Sequence, residues 1–251
     1  MKVNDSNNLK GAIIGNVLTS LSNFIIILLS TIGHNSYDHG FFSLVLSLLF
    51  GVQMLYLALF YISGQAYLFK VSDMIKIRVQ LLFLNIILSL FICVMVFSLI
   101  HLNGIDNYTI LLACMFIFSQ LLADHCRQEV FLFDIQKMQT VLIVISFVIK
   151  IIGIYYSTDI NISFFVLLLS NLLFLPRVFR IIKLSNFKST YNLNYLFSYM
   201  SYSKKIVIAA FTNWFWGFFP IYIMGYFHGL AILGILLSLR SLCNIHNPVS
   251  S

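Results

Sequence analysis

Ionisable side chains cluster at the end of one long apolar segment of the sequence. Asp124, His125, Arg127 and Glu129 follow one another within two helical turns. Their spacing favours an interfacial salt-bridge cluster, with a cytoplasmic gate or a proton-linked site as the alternative. A helix that begins at Tyr108 reaches this cluster after about 28 Å. We therefore predict a gate or interfacial charge cluster at the end of this helix, formed by Asp124, Arg127 and Glu129.

Lys150 is an isolated cation within the next apolar segment. The sequence has no acidic residue within two helical turns of it. Along a helix it lies about 18 Å from Met138 and about 9 Å from Tyr156. An ammonium group that faces lipid is unfavourable by several kcal/mol. The side chain is therefore expected to face protein or water, with snorkelling to the outer interface as the alternative.

Arg240 is a second cation within an apolar segment. It lies about 15 Å from Leu230 along a helix, close to the middle of a bilayer, and its guanidinium stays charged. Asparagines on two of the apolar segments either line the same watery cavity or serve helix–helix contacts. The predicted substrate-binding residues are Lys150, Arg240, Asn16, Asn23 and Asn213.

The elements that must position these side chains are membrane-spanning helices. Hydrophobic residues make up 60% of the 251 residues and charged residues 9%, whereas soluble domains have about 25% charged residues. The apolar runs are continuous, and they reach the roughly 20 residues that a helix needs to cross a bilayer. We predict an all-α polytopic membrane protein with about eight transmembrane helices. The predicted spans are 11–31, 40–69, 79–100, 108–127, 138–156, 162–182, 205–227 and 230–247.

Basic residues set the predicted orientation. Most of the 15 lysines and arginines lie before the first span or in loops on the same side of the membrane, and the opposite loops contain none. By the positive-inside rule the N-terminus is cytoplasmic. The net charge of +7 thus reflects topology, and nucleic acid is not an expected partner. We predict a multi-pass protein of the plasma membrane.

The order of the spans predicts a division into lobes. Residues 1–182 form a six-helix transmembrane lobe, and residues 183–204 form an amphipathic cytoplasmic linker at the membrane interface. Residues 205–251 form the first two helices of an incomplete second lobe. A faint repeat supports this division, because Tyr37-Asp38-His39-Gly40 joins spans one and two, and Tyr226-Phe227-His228-Gly229 joins spans seven and eight.

Three stretches carry a resemblance to a known family. They are Gly15-Asn16…Asn23 with Tyr37-Asp38-His39-Gly40-Phe41, then Arg127-Gln128-Glu129-Val130-Phe131-Leu132-Phe133, then Asn213-Trp214…Pro220…Gly225…Gly229 running into Leu239-Arg240-Ser241-Leu242…Asn247-Pro248. With these stretches in this order, the chain resembles the polysaccharide or O-antigen flippases of the multidrug/oligosaccharidyl-lipid/polysaccharide (MATE-like) exporter superfamily. The resemblance covers essentially the whole chain and is one of spacing and hydropathy.

The resemblance implies a transporter and not an enzyme. It implies lobes around a central cavity, and alternating access that moves a lipid-linked oligosaccharide across the bacterial inner membrane. The implied substrate is an undecaprenyl-pyrophosphate-linked sugar, with polysaccharide polymerase machinery as a further partner and no cofactor or metal. The family's cationic cavity is carried over to Lys150 and Arg240. Because such flippases have twelve or more helices, the chain is expected to be a truncated member.

Two other functions stay open at this level. An integral-membrane enzyme of envelope polysaccharide synthesis, such as a polymerase or glycosyltransferase, needs a carboxylate pair or a long outer loop. The outer loops here are short and hold isolated acids, namely Asp38, Asp106 and Asp159. MATE-like drug or cation efflux needs buried carboxylates in the first lobe, and spans one to three contain none well inside. The four cysteines are interpreted as buried apolar side chains.

Overall fold

Helices make up nearly all of the described chain. The computed structural model describes residues 21–56, 85–91, 105–133, 137–184 and 193–244, together with positions 18, 82, 83, 93, 94 and 97. These residues contain no strand, so the predicted all-α class is confirmed. The helices are α1 (Leu21–Gly33), α2 (Ser36–Tyr56), α3 (85–91), α4 (Asn107–Phe133), α5 (Lys137–Tyr156), α6 (Ile160–Leu172), α7 (Leu175–Leu184), α8 (Leu193–His228) and α9 (Leu230–Asn244).

Polar side chains fix the starts of three helices by accepting hydrogen bonds from backbone N–H groups. Asp159 does so for α6 at 2.8 Å, and Asp106 for α4 at 3.1 Å. Asn35 does so for α2 at 2.9 Å, and its amide also donates to the carboxylate of Asp38 at 2.8 Å. The three acids of the predicted outer loops therefore all take part in helix starts.

The predicted sixth span, 162–182, is not one helix. It is divided into α6 and α7 by a turn at Leu173 and Phe174, directly before Pro176. Proline has no N–H to donate to the carbonyl four residues earlier, and its ring crowds that carbonyl. The chain therefore starts a new helix at Leu175, with Pro176 as its second residue.

The boundary predicted at residue 205, between the linker and the second lobe, falls inside a continuous helix. α8 runs for 36 residues and includes Pro220. It ends at His228 because Gly229 adopts a φ of 87°, which favours glycine, and α9 begins at the next residue. The matching His39-Gly40 lies inside α2. The two halves of the proposed repeat therefore differ in backbone conformation at their matched residues.

Phenylalanine side chains form the centre of the main apolar core. Phe164 of α6 is fully buried, and its ring lies 5.8, 5.3 and 5.9 Å from the rings of Phe41, Phe42 and Phe116. This cluster joins α2, α4 and α6. α6 also lies against α5, so it connects the two helices that carry the predicted charged residues.

α9 crosses α2 at a glycine pair. A Cβ on Gly40 would collide with the backbone of Leu230, and a Cβ on Gly234 would lie 2.8 Å from the Gly40 Cα. The lack of side chains thus lets the two backbones approach closely. Helices from the predicted first and second lobes are in direct contact here.

One helical stretch in the described part of the chain, Asn107–Cys126, is both long and apolar enough to cross a membrane. Four other apolar helical stretches have 10–17 residues: Leu21–Gly33, Val141–Tyr156, Ile160–Leu172 and Leu230–Arg240. The predicted spans 11–31, 40–69 and 79–100 extend beyond the described residues.

Candidate functional site

Lys150 lies inside the helix bundle. Its side chain is 5% exposed, and Nζ donates a hydrogen bond to Oε1 of Gln120 at 3.0 Å. Gln120 belongs to α4, so the lysine of α5 reaches across to another helix. The buried ammonium is held by the negative end of an amide dipole.

The other end of that amide points at a carboxylate. Gln120 Nε2 donates to Asp124 Oδ1 and Oδ2 at 3.3 and 3.4 Å, and Gln53 of α2 also donates to Oδ2 of Asp124. Asp124 is 8% exposed. The amide of Gln120 is therefore hydrogen-bonded to both a buried cation and a buried anion. We call Gln53, Gln120, Asp124 and Lys150 the lysine network.

A second side-chain hydrogen bond joins α2 to α4. The hydroxyl of Tyr56, on α2, is bonded to Nδ1 of His125, on α4. Tyr56 and His125 are 2% and 3% exposed. Together with the Gln53–Asp124 bond, this contact fixes one face of α4 against the C-terminal part of α2.

A second buried polar cluster lies at the other end of α2. His39 Nδ1 is 3.1 Å from Ser30 Oγ, and its Nε2 is 2.9 Å from Ser238 Oγ of α9. Because Ser30 donates its hydroxyl proton to the carbonyl of Ile27 at 2.8 Å, its oxygen is left to accept from Nδ1–H of His39. Nε2 is then the acceptor for the hydroxyl of Ser238.

His34 extends this cluster toward α6. Its Nδ1 donates to the carbonyl of Ser30 at 3.1 Å, and its Nε2 lies 3.0 Å from Ser163 Oγ. Ser163 is in turn bonded to Ser157. Every partner named here is neutral. We call Ser30, His34, His39, Ser163 and Ser238 the histidine network.

The remaining predicted site residues are distributed differently. Arg240 is half-buried between α9 and α8, with its guanidinium against Gly217, where a Cβ would collide with it. Lys150 thus contacts α4, and Arg240 contacts α8. Asn23 is half-buried, and Asn213 is exposed. Asn16 and the side chains of Arg127 and Glu129 lie outside what the structure describes.

Sequence reasoning identified part of the lysine network. The i,i+4 spacing of Gln120 and Asp124 places them on one helix face, and the isolation of Lys150 singled it out. Gln53 and Tyr56 were missed as partners, because nothing in the sequence fixes the register between α2 and α4. The histidine network had a weaker signal, a short segment with two histidines after a serine-containing helix.

The chain was compared with known proteins. No protein-family model, curated protein or solved structure matches it.

Proposed function

We propose that the chain is a polytopic protein of the bacterial inner membrane that exports lipid-linked oligosaccharide by alternating access. The observation that supports the membrane location is the distribution of side chains on α5. Lys150 is 5% exposed, whereas Val148 and Ile152 are 44% and 53% exposed. Water would favour the reverse arrangement, while a hydrocarbon environment favours this one.

α4 shows the same arrangement. Leu111 and Met115 are 56% and 46% exposed, and Gln120 and Asp124 are 3% and 8% exposed. Two helices therefore turn apolar side chains outward and ionisable or amide side chains inward. In a bilayer such interior polar groups are unfavourable unless they are paired, and they commonly mark the path of a polar substrate.

The export part of the proposal rests on the resemblance and on the chemistry of the lysine network. The pyrophosphate of the proposed substrate is an anion, and one acceptor that Lys150 uses is the neutral amide oxygen of Gln120. A phosphate oxygen is a stronger acceptor for an ammonium than an amide oxygen is. When substrate binds, Lys150 would donate to a phosphate oxygen in place of Gln120, and the contact between α5 and α4 would change. Alternating access requires such a change between two states. Arg240 is proposed as a second cation for the same headgroup.

The enzyme alternative receives no comparable support. The acids that could serve it in the outer loops are Asp38, Asp106 and Asp159, and each takes part in a helix start. They are also on three different segments of the bundle.

Export can be tested through Lys150. In cells that lack their own O-antigen flippase and express this chain, Lys150→Gln should lower the amount of surface polysaccharide about tenfold, as loss of one charged hydrogen bond predicts. Lys204→Gln removes an exposed charge from α8 and is the matched control. Undiminished export in Lys150→Gln, with equal protein in the membrane fraction, would contradict this role.

Topology tests the membrane location separately. Reporter fusions at residues 35, 104 and 159 should be external, and fusions at residues 74, 135 and 190 cytoplasmic. A cytoplasmic reading at residue 104 would reverse the proposed orientation, because the loop 101–107 contains no lysine or arginine.

A further inference from the structure

An apolar cavity lies on the side of α4 away from the lysine network. Its volume is about 460 Å³, and α3, α4, α6 and α7 all contribute to its walls. This volume is within the range of about 300–1,000 Å³ that is typical of small-ligand sites. Lining side chains include Cys93, Cys114, Leu122, Leu168 and Phe174.

The cavity communicates with the apolar exterior of the bundle. Three of its lining residues, Leu90, Met115 and Leu172, are 55%, 46% and 37% exposed. These residues come from three different helices and flank its open side. If the exterior is a bilayer, as proposed above, the group that can enter from this side is a hydrocarbon chain.

The turn of α7 that borders the cavity carries a cation. Leu175 and Val178 line the cavity, and Arg177 lies between them in the sequence but is not itself a lining residue. Arg177 is half-buried, and its Nε is buried with no hydrogen-bond partner among the described residues. A buried guanidinium N–H without an acceptor is unfavourable. This group therefore favours a ligand that supplies an anionic oxygen.

The sequence of α7 favours the same kind of ligand. Arg177, Arg180 and Lys183 follow at steps of three residues in a helix whose other residues are apolar or proline. A short amphipathic helix with basic residues is typical of segments that lie at the surface of anionic membranes. By the predicted orientation, α7 is at the cytoplasmic face.

We propose that this cavity binds an anionic phospholipid of the inner leaflet, with one acyl chain between α3, α4 and α6 and the phosphate on Arg177. Arginine suits this role because its planar guanidinium can donate two parallel hydrogen bonds to phosphate oxygens. The inference rests on the proposed membrane location and is independent of the transported substrate. The site is distinct from both polar networks.

The test uses the full chain in nanodiscs of phosphatidylcholine that contain a phosphatidylglycerol probe with a diazirine in its acyl chain. Photolysis should cross-link the probe to peptides that contain Cys93, Cys114 or Leu168. Arg177→Gln should lower this cross-linking about tenfold, and Lys204→Gln should leave it unchanged. A phosphatidylcholine probe should label these peptides about tenfold less.

A second variant tests the chain-binding part without changing charge. Met115→Trp places a larger side chain at the open side of the cavity and should reduce cross-linking, whereas Leu111→Trp, exposed on the same helix and outside the cavity lining, should not. Equal labelling by both lipid probes, or no effect of Arg177→Gln and Met115→Trp, would overturn the proposal. Lost oligosaccharide export with retained cross-linking would contradict only the transport function, and absence of the wild-type chain from membranes would contradict the location on which both depend.

Discussion

The lysine network and the histidine network are both buried, both join α2 to other helices, and differ in charge. In the lysine network one amide is hydrogen-bonded to both a buried ammonium and a buried carboxylate. In the histidine network, serine hydroxyls and a backbone carbonyl satisfy two imidazoles. A neutral network can lose one member at the cost of a hydrogen bond. A charged network that loses one member leaves a charge without compensation.

This difference suggests different roles for the two ends of α2. The histidine network suits a permanent contact, because its bonds connect α1, α2, α6 and α9 without any charge that must be neutralised. The lysine network suits a contact that changes, because an incoming anion can substitute for one of its members. The free energies of unfolding of variants can test this distinction.

The largest effect is expected at Asp124. Asp124→Leu should lower the free energy of unfolding by about 3–5 kcal/mol, because it removes the carboxylate from the lysine network and leaves the buried ammonium of Lys150 without that countercharge. Thermal unfolding of the purified protein in detergent would measure this loss. Asp38→Asn changes a half-buried carboxylate at the start of α2, where asparagine can still accept the hydrogen bond from Asn35, and should shift stability by less than about 0.5 kcal/mol. Similar losses in the two variants would show that Asp124 is not part of a charged network.

Removal of the matching cation should reverse part of that loss. Lys150→Met in the Asp124→Leu background should restore about 2 kcal/mol, within the usual range for contacting residues. The double variant replaces both charges with apolar groups of similar size. If Lys150→Met instead adds to the loss, the two charges are not coupled through Gln120.

A smaller effect is expected in the histidine network. His39→Phe should lower the free energy of unfolding by about 1–2 kcal/mol, because Ser238 loses its acceptor and no charge is left behind. His228→Phe is the matched control, since it lies at the corresponding place in the faint repeat and is exposed. A loss at His39 as large as that at Asp124 would remove the distinction between the two networks.

The smallest effect is expected for a single hydroxyl. Ser238→Ala should lower the free energy of unfolding by about 1 kcal/mol, the usual value for one neutral hydrogen bond. Since Ser43 Oγ also lies 3.4 Å from Nε2 of His39, a second hydroxyl is close to the same acceptor. Thermal unfolding of Ser238→Ala and of the Ser43→Ala/Ser238→Ala double variant would show whether the two hydroxyls substitute for each other. A larger loss in Ser238→Ala than in His39→Phe would contradict this assignment.

The helical class could be predicted from the sequence, and so could the importance of single polar residues such as Lys150. Continuous apolar runs of about 20 residues favour helices over strands, and the unfavourable exposure of Lys150 to lipid makes it a candidate site residue. The contact between Lys150 and Gln120 was not predictable, because it depends on how α4 and α5 are placed around α6. Spacing along one helix gives the face of a residue but not its partner on another helix.

Helix boundaries show a similar limit. Pro176 marked the α6–α7 break in the sequence, since proline acts on the backbone of its own segment. The continuity of α8 was missed because the change in composition near Lys204 and Lys205 was interpreted as a boundary. Neither lysine disfavours a helix, so the backbone continues through them.

The length of α8 has a mechanical consequence. A helix of 36 residues is about 54 Å long, so a rigid-body movement of one part of it would also displace the rest. The indole of Trp214 fills the space beside Gly51 and so packs α8 against α2. Gly217, one turn further along α8, contacts the guanidinium of Arg240 on α9. Pro220 cannot donate a hydrogen bond to the carbonyl of Trp216, so the helix can bend between Gly217 and the Gly229 turn.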